Sequence, residues 1–223
     1  MNGITNILLI ILCYLIGSIP TAFLMFKWSQ KGDITQEGSG NVGATNLYDL
    51  TRSRKLYMYA MIIDLLKGAL PILIAIKVFD YHGFYLFIFG LALVFGHNYS
   101  IFIKLKGGKG LATAAGVLFV LFPLAVPVWL MLYFVSKRLI NDDVHISTLV
   151  ALFVLPLFVL STPRVVIEYF LNLTHYVVVD YWEFILFSVM LVLIIASKHY
   201  KNIKEKIQQK LKESKELKEK QNA

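Results

Sequence analysis

Long unbroken apolar stretches alternate with short polar islands along the chain. Apolar runs occupy residues 4–26, 56–79, 84–102, 110–135, 144–160 and 182–197. A hydrocarbon core about 30 Å thick needs roughly 20 helical residues to cross. These runs are continuous rather than alternating with period two, so they predict membrane-spanning helices and not strands of a barrel. Residues 165–179 are less regular and read as an external connection. The run at 110–135 would be ~39 Å long as one helix, but Pro123 and Pro127 interrupt it, and two short helices meeting there are expected. The fold expected is an all-α polytopic membrane protein with about seven spans, some of them short. A re-entrant broken run would lower the count by two and keep its parity.

Composition agrees with that pattern, and charge orients it. Hydrophobic residues make up 57% of the 223 and charged residues 16%, yet the formal net charge is +8. Lys and Arg concentrate on the cytoplasmic side of membrane proteins. Nothing basic precedes the first run, whereas Lys27, Lys31, Arg52, Arg54 and Lys55 follow it. The N-terminus is therefore expected outside and the C-terminus in the cytoplasm. Without a basic segment before it or a small-residue cleavage site after it, the first run reads as a retained span.

Residues 1–197 read as one membrane-embedded domain and residues 198–223 as a basic cytoplasmic tail, with nine lysines against four glutamates. Ile203, Ile207 and Leu211 recur along one face of that tail, a pattern suited to lying on anionic lipid headgroups or to a solvated helix. Beyond Tyr200 no aromatic residue interleaves with its lysines as nucleic-acid binding would require. Cys13 is the only cysteine, so no internal disulfide forms, and no Cys/His cluster has structural-zinc spacing.

Three polar islands carry candidate chemistry. The first, Gly38-Ser39-Gly40-Asn41-Val42-Gly43-Ala44-Thr45-Asn46, combines conformationally free glycines with small donors. It could wrap a polar ligand at a helix start or simply cap the next helix. The second runs from Gly96-His97 to Lys104-Leu105-Lys106-Gly107-Gly108-Lys109-Gly110-Leu111-Ala112-Thr113. Glycines and lysines opening an apolar helix suit a phosphate, or an inside-positive turn. It is no nucleotide P-loop, because no Ser or Thr follows the lysine and no strand precedes it. The third island, His199-Tyr200-Lys201-Asn202-Ile203, puts His199 and Asn202 on one helix face just past the last span. Asp64 and Lys67, within the second span and at a spacing of three, are expected to pair.

Together these residues resemble the bacterial membrane glycerol-3-phosphate acyltransferases that use acyl phosphate as donor. The family's Ser-Gly-Asn-x-Gly-Ala-Thr-Asn motif matches Ser39 to Asn46, and its Asp-x-x-Lys-Gly matches Asp64, Lys67 and Gly68. Its Gly-His…Phe…Lys-Gly-Gly-Lys-Gly-x-Ala-Thr segment matches Gly96, His97, Phe102, Lys106 to Gly110, Ala112 and Thr113. A final His-x-x-Asn-Ile matches His199, Asn202 and Ile203. The resemblance covers nearly the whole chain, with departures. Asp49 stands where the family carries an arginine, with Arg52 one turn further on as the stand-in. Ser100 replaces a proline of the second motif, and Glu205 and Leu211 stand at the arginine and glutamate of the third.

The resemblance implies transfer of an acyl group from acyl phosphate to glycerol 3-phosphate, giving lysophosphatidate, at the cytoplasmic face of a bacterial inner membrane. It implies catalytic roles for Ser39, Lys109, His199 and Asn202. Substrate binding would fall to Asn41, Thr45, Asn46, Arg52, Lys106, Gly107, Gly108 and Gly110. No metal or organic cofactor is implied; the partners are the two substrates and anionic lipids, and nucleic acid is not among them. A small-molecule transporter and a catalytically weakened lipid-binding relative are the rival readings.

Overall fold

The computed structural model describes residues 3–139, 143–172 and 181–221; the side chains of residues 170–172 and most of those beyond Tyr200 fall outside the described set. Every regular element among the described residues is helical. In order they are α1 (Gly3–Ser18), α2 (Thr21–Gln30), α3 (Ala44–Thr51), α4 (Arg54–Lys77), α5 (Phe84–Asn98), α6 (Leu111–Leu121), α7 (Ala125–Leu139), α8 (Val144–Ser161), α9 (Arg164–Asn172) and α10 (Tyr181–Gln221). A 3₁₀ turn, Ile101–Ile103, follows α5. Five helical stretches among the described residues are long and apolar enough to cross a membrane: Gly3–Gln30, Arg54–Lys77, Phe84–Ile103, Val144–Ser161 and Tyr181–Tyr200.

The apolar runs thus become helices, with informative breaks. The first run divides at Ile19-Pro20, since a proline removes an N–H and disfavours helical geometry in the residue before it. The run at 110–135 divides at Phe122–Leu124, around Pro123, as expected. Pro127 is tolerated because it falls in the first turn of α7, where no intrahelical N–H is needed. Helix α6, of 11 residues, is only ~16 Å long, too short to cross a bilayer alone. The 165–172 part of the expected connection forms α9; residues 173–180 lie outside the described residues. Helix α10 runs without a break for 41 residues, through the expected junction between membrane domain and tail.

Glycines decide which helices touch. Helices associating within a bilayer gain little from apolar burial, so small residues that admit close backbone contact matter most. A Cβ on Gly17 would lie 2.1 Å from the Leu93 carbonyl oxygen, and one on Gly96 would lie 2.2 Å from that of Tyr14. These reciprocal contacts weld α1 to α5. Gly68 against Thr113 O (2.1 Å) and Gly116 against Leu65 O (2.0 Å) do the same for α4 and α6.

The main core behind these crossings includes Leu86, Phe87, Phe89, Leu93, Val117 and Phe187. Phe87 and Phe187 stack there with ring centroids 4.6 Å apart. A second, smaller core of Ala22, Phe26, Ile34, Val42, Leu47 and Ala60 lies under the first polar island. Ile4, Leu8, Phe119 and Leu157, among many others, turn outward at 60% exposure or more, an outer surface that suits lipid rather than water.

Gly68→Val and Gly116→Val should each lower the detergent-solubilised protein's stability by about 1–3 kcal/mol, read as an earlier thermal unfolding midpoint. Gly3→Val, where a Cβ meets nothing within 4 Å, should leave the midpoint in place. Equal midpoints for all three would remove the glycine crossings as the contact that sets helix pairing.

Candidate functional site

The first island folds as a loop around one side chain. Asn46, 3% exposed, accepts the Ser39 N–H on Oδ1 at 3.0 Å and donates through Nδ2 to the carbonyls of Asn41 (3.0 Å) and Glu37 (3.2 Å). Gly38 is obligatory: its φ is +58° and a Cβ would sit 2.4 Å from Asn46 Oδ1. Asp33 opens the loop; its Oδ1 accepts the Thr35 N–H at 2.9 Å, which holds its carboxyl below the usual carboxylate range. The amide of Asn46 is thereby committed to the loop's own backbone. Ser39 and Thr45 are exposed and Asn41 half-buried, so these carry the loop's accessible polar groups.

The second island lies over the end of α5. The Gly108 N–H donates to the His97 carbonyl at 3.1 Å. A Cβ on Gly108 would reach within 2.0 Å of His97 Nε2, and one on Gly110 within 2.4 Å of Asn98 Oδ1. Gly110 also has φ +81°, open to glycine at little cost. The loop therefore needs its glycines to lie flat on α5. It then turns straight into α6, whose first N–H groups have no intrahelical partners. Two contacts join it to the first island: Val42 N–H to Gly107 O at 3.4 Å, and Lys106 Nζ to Thr35 Oγ1 at 3.5 Å.

Lys109 points the other way, toward α8 and α10. Its Nζ lies 3.2 Å from Nδ1 and 3.4 Å from Nε2 of His145. The His145 and His199 rings meet edge to face with centroids 5.5 Å apart. His199 is 1% exposed, and neither of its ring nitrogens has a hydrogen-bond partner among the described residues. Burying such groups without partners is costly, which sets His199 apart from the paired groups around it. Asn202 belongs to α10, but its side chain lies outside the described residues. Arg52 closes α3 in a left-handed conformation with its side chain exposed. It stands about 9 Å of helical rise beyond Asn46, the last residue of the first island.

Beneath the loop lies a buried ionic cluster. Lys67 Nζ is 2.9 Å from Asp64 Oδ1 and donates to the Ile19 carbonyl at 3.0 Å. Thr21 Oγ1 donates to Asp64 Oδ1 at 2.9 Å, and His97 Nδ1 stands 3.7 Å from the same oxygen. The expected Asp64–Lys67 pair is thus formed, and it reaches two segments that local sequence patterns do not connect to it.

His145, Thr21 and Asn98 belong to none of the sequence motifs. For His145 a signal existed, since Asp143-x-His145 at the head of an apolar run is a helix start; Asp143 Oδ1 does cap α8, accepting the N–H groups of His145 (2.8 Å) and Ile146 (3.1 Å). Asn98 donates to Ile194 O at 3.0 Å, tying α5 to α10, and nothing in its local sequence foretells that.

An apolar cavity of about 340 Å³ opens between α4, α6, α7, α8 and α10, lined by residues such as Leu65, Ala115, Leu118, Trp129, Leu155 and Leu191. Leu111 and Ala112 also line it, so it begins where the Gly-Lys loop ends. The site thus has a polar, cationic mouth and an apolar interior side by side.

Comparison with known proteins places this arrangement. The chain is 44% identical over 119 residues to a glycerol-3-phosphate acyltransferase of Syntrophotalea carbinolica, a match covering 53% of this chain and 60% of that protein. To the Trichlorobacter lovleyi enzyme of the same name it is 40% identical over 151 residues, 68% of this chain and 76% of the other. The matched stretch therefore spans about 60% of some of these relatives and about three quarters of others. The fold superposes on the crystal structure of PlsY, an integral membrane glycerol 3-phosphate acyltransferase, in its glycerol 3-phosphate form. The TM-score is 0.72, with 29% identity and 92% of each chain covered. The lysophosphatidic acid form of PlsY matches with a TM-score of 0.70, 30% identity and the same coverage. The family model described as glycerol-3-phosphate acyltransferase matches residues 7–209, and the chain belongs to that family.

Proposed function

We propose that this protein transfers an acyl group from acyl phosphate to glycerol 3-phosphate, forming lysophosphatidate for phospholipid synthesis. The observation that carries the reading is the meeting of a Gly-Lys loop, the Lys109–His145–His199 cluster and an apolar cavity at one place. Such a reaction must hold two phosphates against their repulsion and keep an acyl chain out of water. It must also bring a hydroxyl to the acyl carbon. The relatives' names and the PlsY ligand forms support the acceptor and product.

In this reading the Gly107–Gly110 loop and Lys106 bind the donor phosphate through charge and through backbone N–H groups other than that of Gly108, which the His97 carbonyl holds. Lys109, His199, Asn202 and Ser39 line the glycerol phosphate pocket, with Asn41, Thr45 and Arg52 at its edge. Asn46 shapes the loop that presents Ser39. The acyl chain occupies the apolar cavity. The acceptor's hydroxyl oxygen attacks the acyl carbon, and the bond from that carbon to the phosphate oxygen breaks. A substrate phosphate takes the hydroxyl proton, and inorganic phosphate departs. Acyl phosphate is already activated, so positioning and charge neutralisation supply most of the rate.

The helices then thread the bilayer in a definite sense. Counting α1 with α2, α4, α5, α6, α7, α8 and α10 makes about seven membrane passages, with α6 and α7 each short. The N-terminus lies outside, while the loops bearing Lys27, Lys104 to Lys109 and Lys137, and the tail from Lys198, lie in the cytoplasm of a bacterial inner membrane. The tail from Lys198 carries a basic excess that would face anionic lipid headgroups where α10 leaves the membrane.

Purified protein given acyl phosphate and labelled glycerol 3-phosphate should form lysophosphatidate; with acyl-CoA or acyl carrier protein donors it should not. Lys109→Ala and Ser39→Ala should each lower the rate by about 10²-fold or more while still inserting in membranes, and wild-type rates in both would sink the site. Ala115→Phe should narrow the cavity and move preference toward shorter acyl chains with the acceptor KM unchanged. An unaltered chain-length profile would remove the cavity as the acyl site. In intact cells, the Lys204→Cys protein should resist an impermeant thiol reagent until the membrane is opened; labelling beforehand would reverse the orientation.

A further inference from the structure

We propose that Ser100 is the positioning residue for Lys106 and the entry to the Gly-Lys loop, fastening them to α1 so that they meet the donor's phosphate in one arrangement; this rests on the donor site assigned above. Ser100 is a departure from the second motif, and it is almost wholly buried, at 1% exposure. Its φ of −67° is the value that a proline ring would fix. A proline there would have neither an N–H nor a hydroxyl to donate. The serine uses both.

Its N–H donates to the Lys106 carbonyl at 3.2 Å, and its own carbonyl accepts the N–H groups of Leu105 (2.8 Å) and Ile103 (3.3 Å). Residues 100–106 are thereby closed into a ring whose ends are Ser100 and Lys106. The closure is needed, because Lys104 and Leu105 stand at φ +54° and +59°. Residues with a side chain adopt that left-handed conformation only at a cost. Two in succession persist only where the surrounding structure holds them. Freed from Ser100, the segment would relax toward ordinary backbone angles and carry Lys106 with it.

The hydroxyl fixes the ring to the rest of the molecule. Ser100 Oγ donates to the carbonyl of Ser18, the last residue of α1. Beside it, the Tyr99 carbonyl accepts the Tyr14 hydroxyl at 2.9 Å. The residue after Ser18 is Ile19, whose carbonyl takes Lys67, so the ring is seated next to the buried ionic cluster. From that seat the chain passes directly into Gly107, where a Cβ would lie 2.3 Å from the His97 carbonyl oxygen. So close an approach leaves little room for a shifted entry to the loop. Ser100 touches no substrate; it acts through Lys106, whose side chain is exposed and stands in the donor site.

Steady-state kinetics of the full-length protein in detergent or nanodiscs, with each substrate varied separately, tests this. Ser100→Ala removes the hydroxyl and keeps the N–H, and it should raise the KM for acyl phosphate about tenfold. It should leave kcat within about threefold and the KM for glycerol 3-phosphate within about twofold. Ser100→Cys, of similar size with only a weak S–H donor, should follow the alanine variant, and it decides the matter if the alanine protein is not recovered from membranes. A raised acyl phosphate KM beside an unmoved glycerol 3-phosphate KM supports the assignment. Wild-type constants, equal rises in both KM values, or a loss confined to kcat overturn it. Silent Ser100 variants beside a Lys106→Ala protein with a raised acyl phosphate KM refute this inference alone, whereas a wild-type acyl phosphate KM in Lys106→Ala refutes the donor site on which it rests.

Discussion

Asp64 and Lys67 are 3% and 8% exposed in the middle of a long apolar helix, where an unpaired charge costs about 2.5–3.5 kcal/mol on insertion scales and more by simulation. Pairing with each other at 2.9 Å does not use up their hydrogen-bonding capacity. Lys67 takes the carbonyl of Ile19, at the Pro20 break, and Asp64 takes the hydroxyl of Thr21 and faces His97. One constraint, that buried polar groups find partners, thereby draws α1, α2, α4 and α5 to a common point. Removing one member would leave the other charged and buried, generally a loss of about 3–5 kcal/mol.

The site inherits its order from that point. His97 faces Asp64 with one ring nitrogen and lies under Gly108 with the other, while its carbonyl accepts the Gly108 N–H. The Gly-Lys loop is therefore laid on a surface anchored from below. Asn98, next along, reaches across to Ile194 and brings α10, with His199, alongside. A loop that carries Lys104, Lys106 and Lys109 within six residues needs such support, because like charges repel each other. On that base Lys106 reaches toward the first island and Lys109 toward α8 and α10, so the two ammonium groups are held apart.

Much of this was legible in the sequence, and the limits are instructive. The apolar runs, the break near Pro123 and the Asp64–Lys67 pair follow from local rules, whereas the break at Pro20 was not expected and Pro71 and Pro156 sit inside unbroken helices. The glycine-rich islands announced close backbone approach. What they approach was hidden: Gly108 against the His97 ring and Gly38 against the Asn46 amide are contacts between different local segments. Asn46 shows the consequence for function, since a residue grouped with substrate binders from its motif spends its amide on the loop's backbone. Arg52, read as the stand-in for an arginine, ends α3 in a left-handed turn with its side chain exposed.

By itself the sequence determined that this is a helical membrane chain, that the run at 110–135 divides, which of its segments are basic, and which residues resemble an acyl-phosphate-dependent acyltransferase. Hydropathy, proline geometry and charge act within one or two helical turns, so they can be read in order along the chain. Only the tertiary structure decided which helices pair, through the reciprocal glycine contacts of α1 with α5 and α4 with α6. It alone put His145, absent from every motif, against Lys109 at 3.2 Å. The physical reason is that both depend on close packing between surfaces remote in sequence, where a single missing Cβ or one side-chain contact sets the distance. No local pattern encodes that distance.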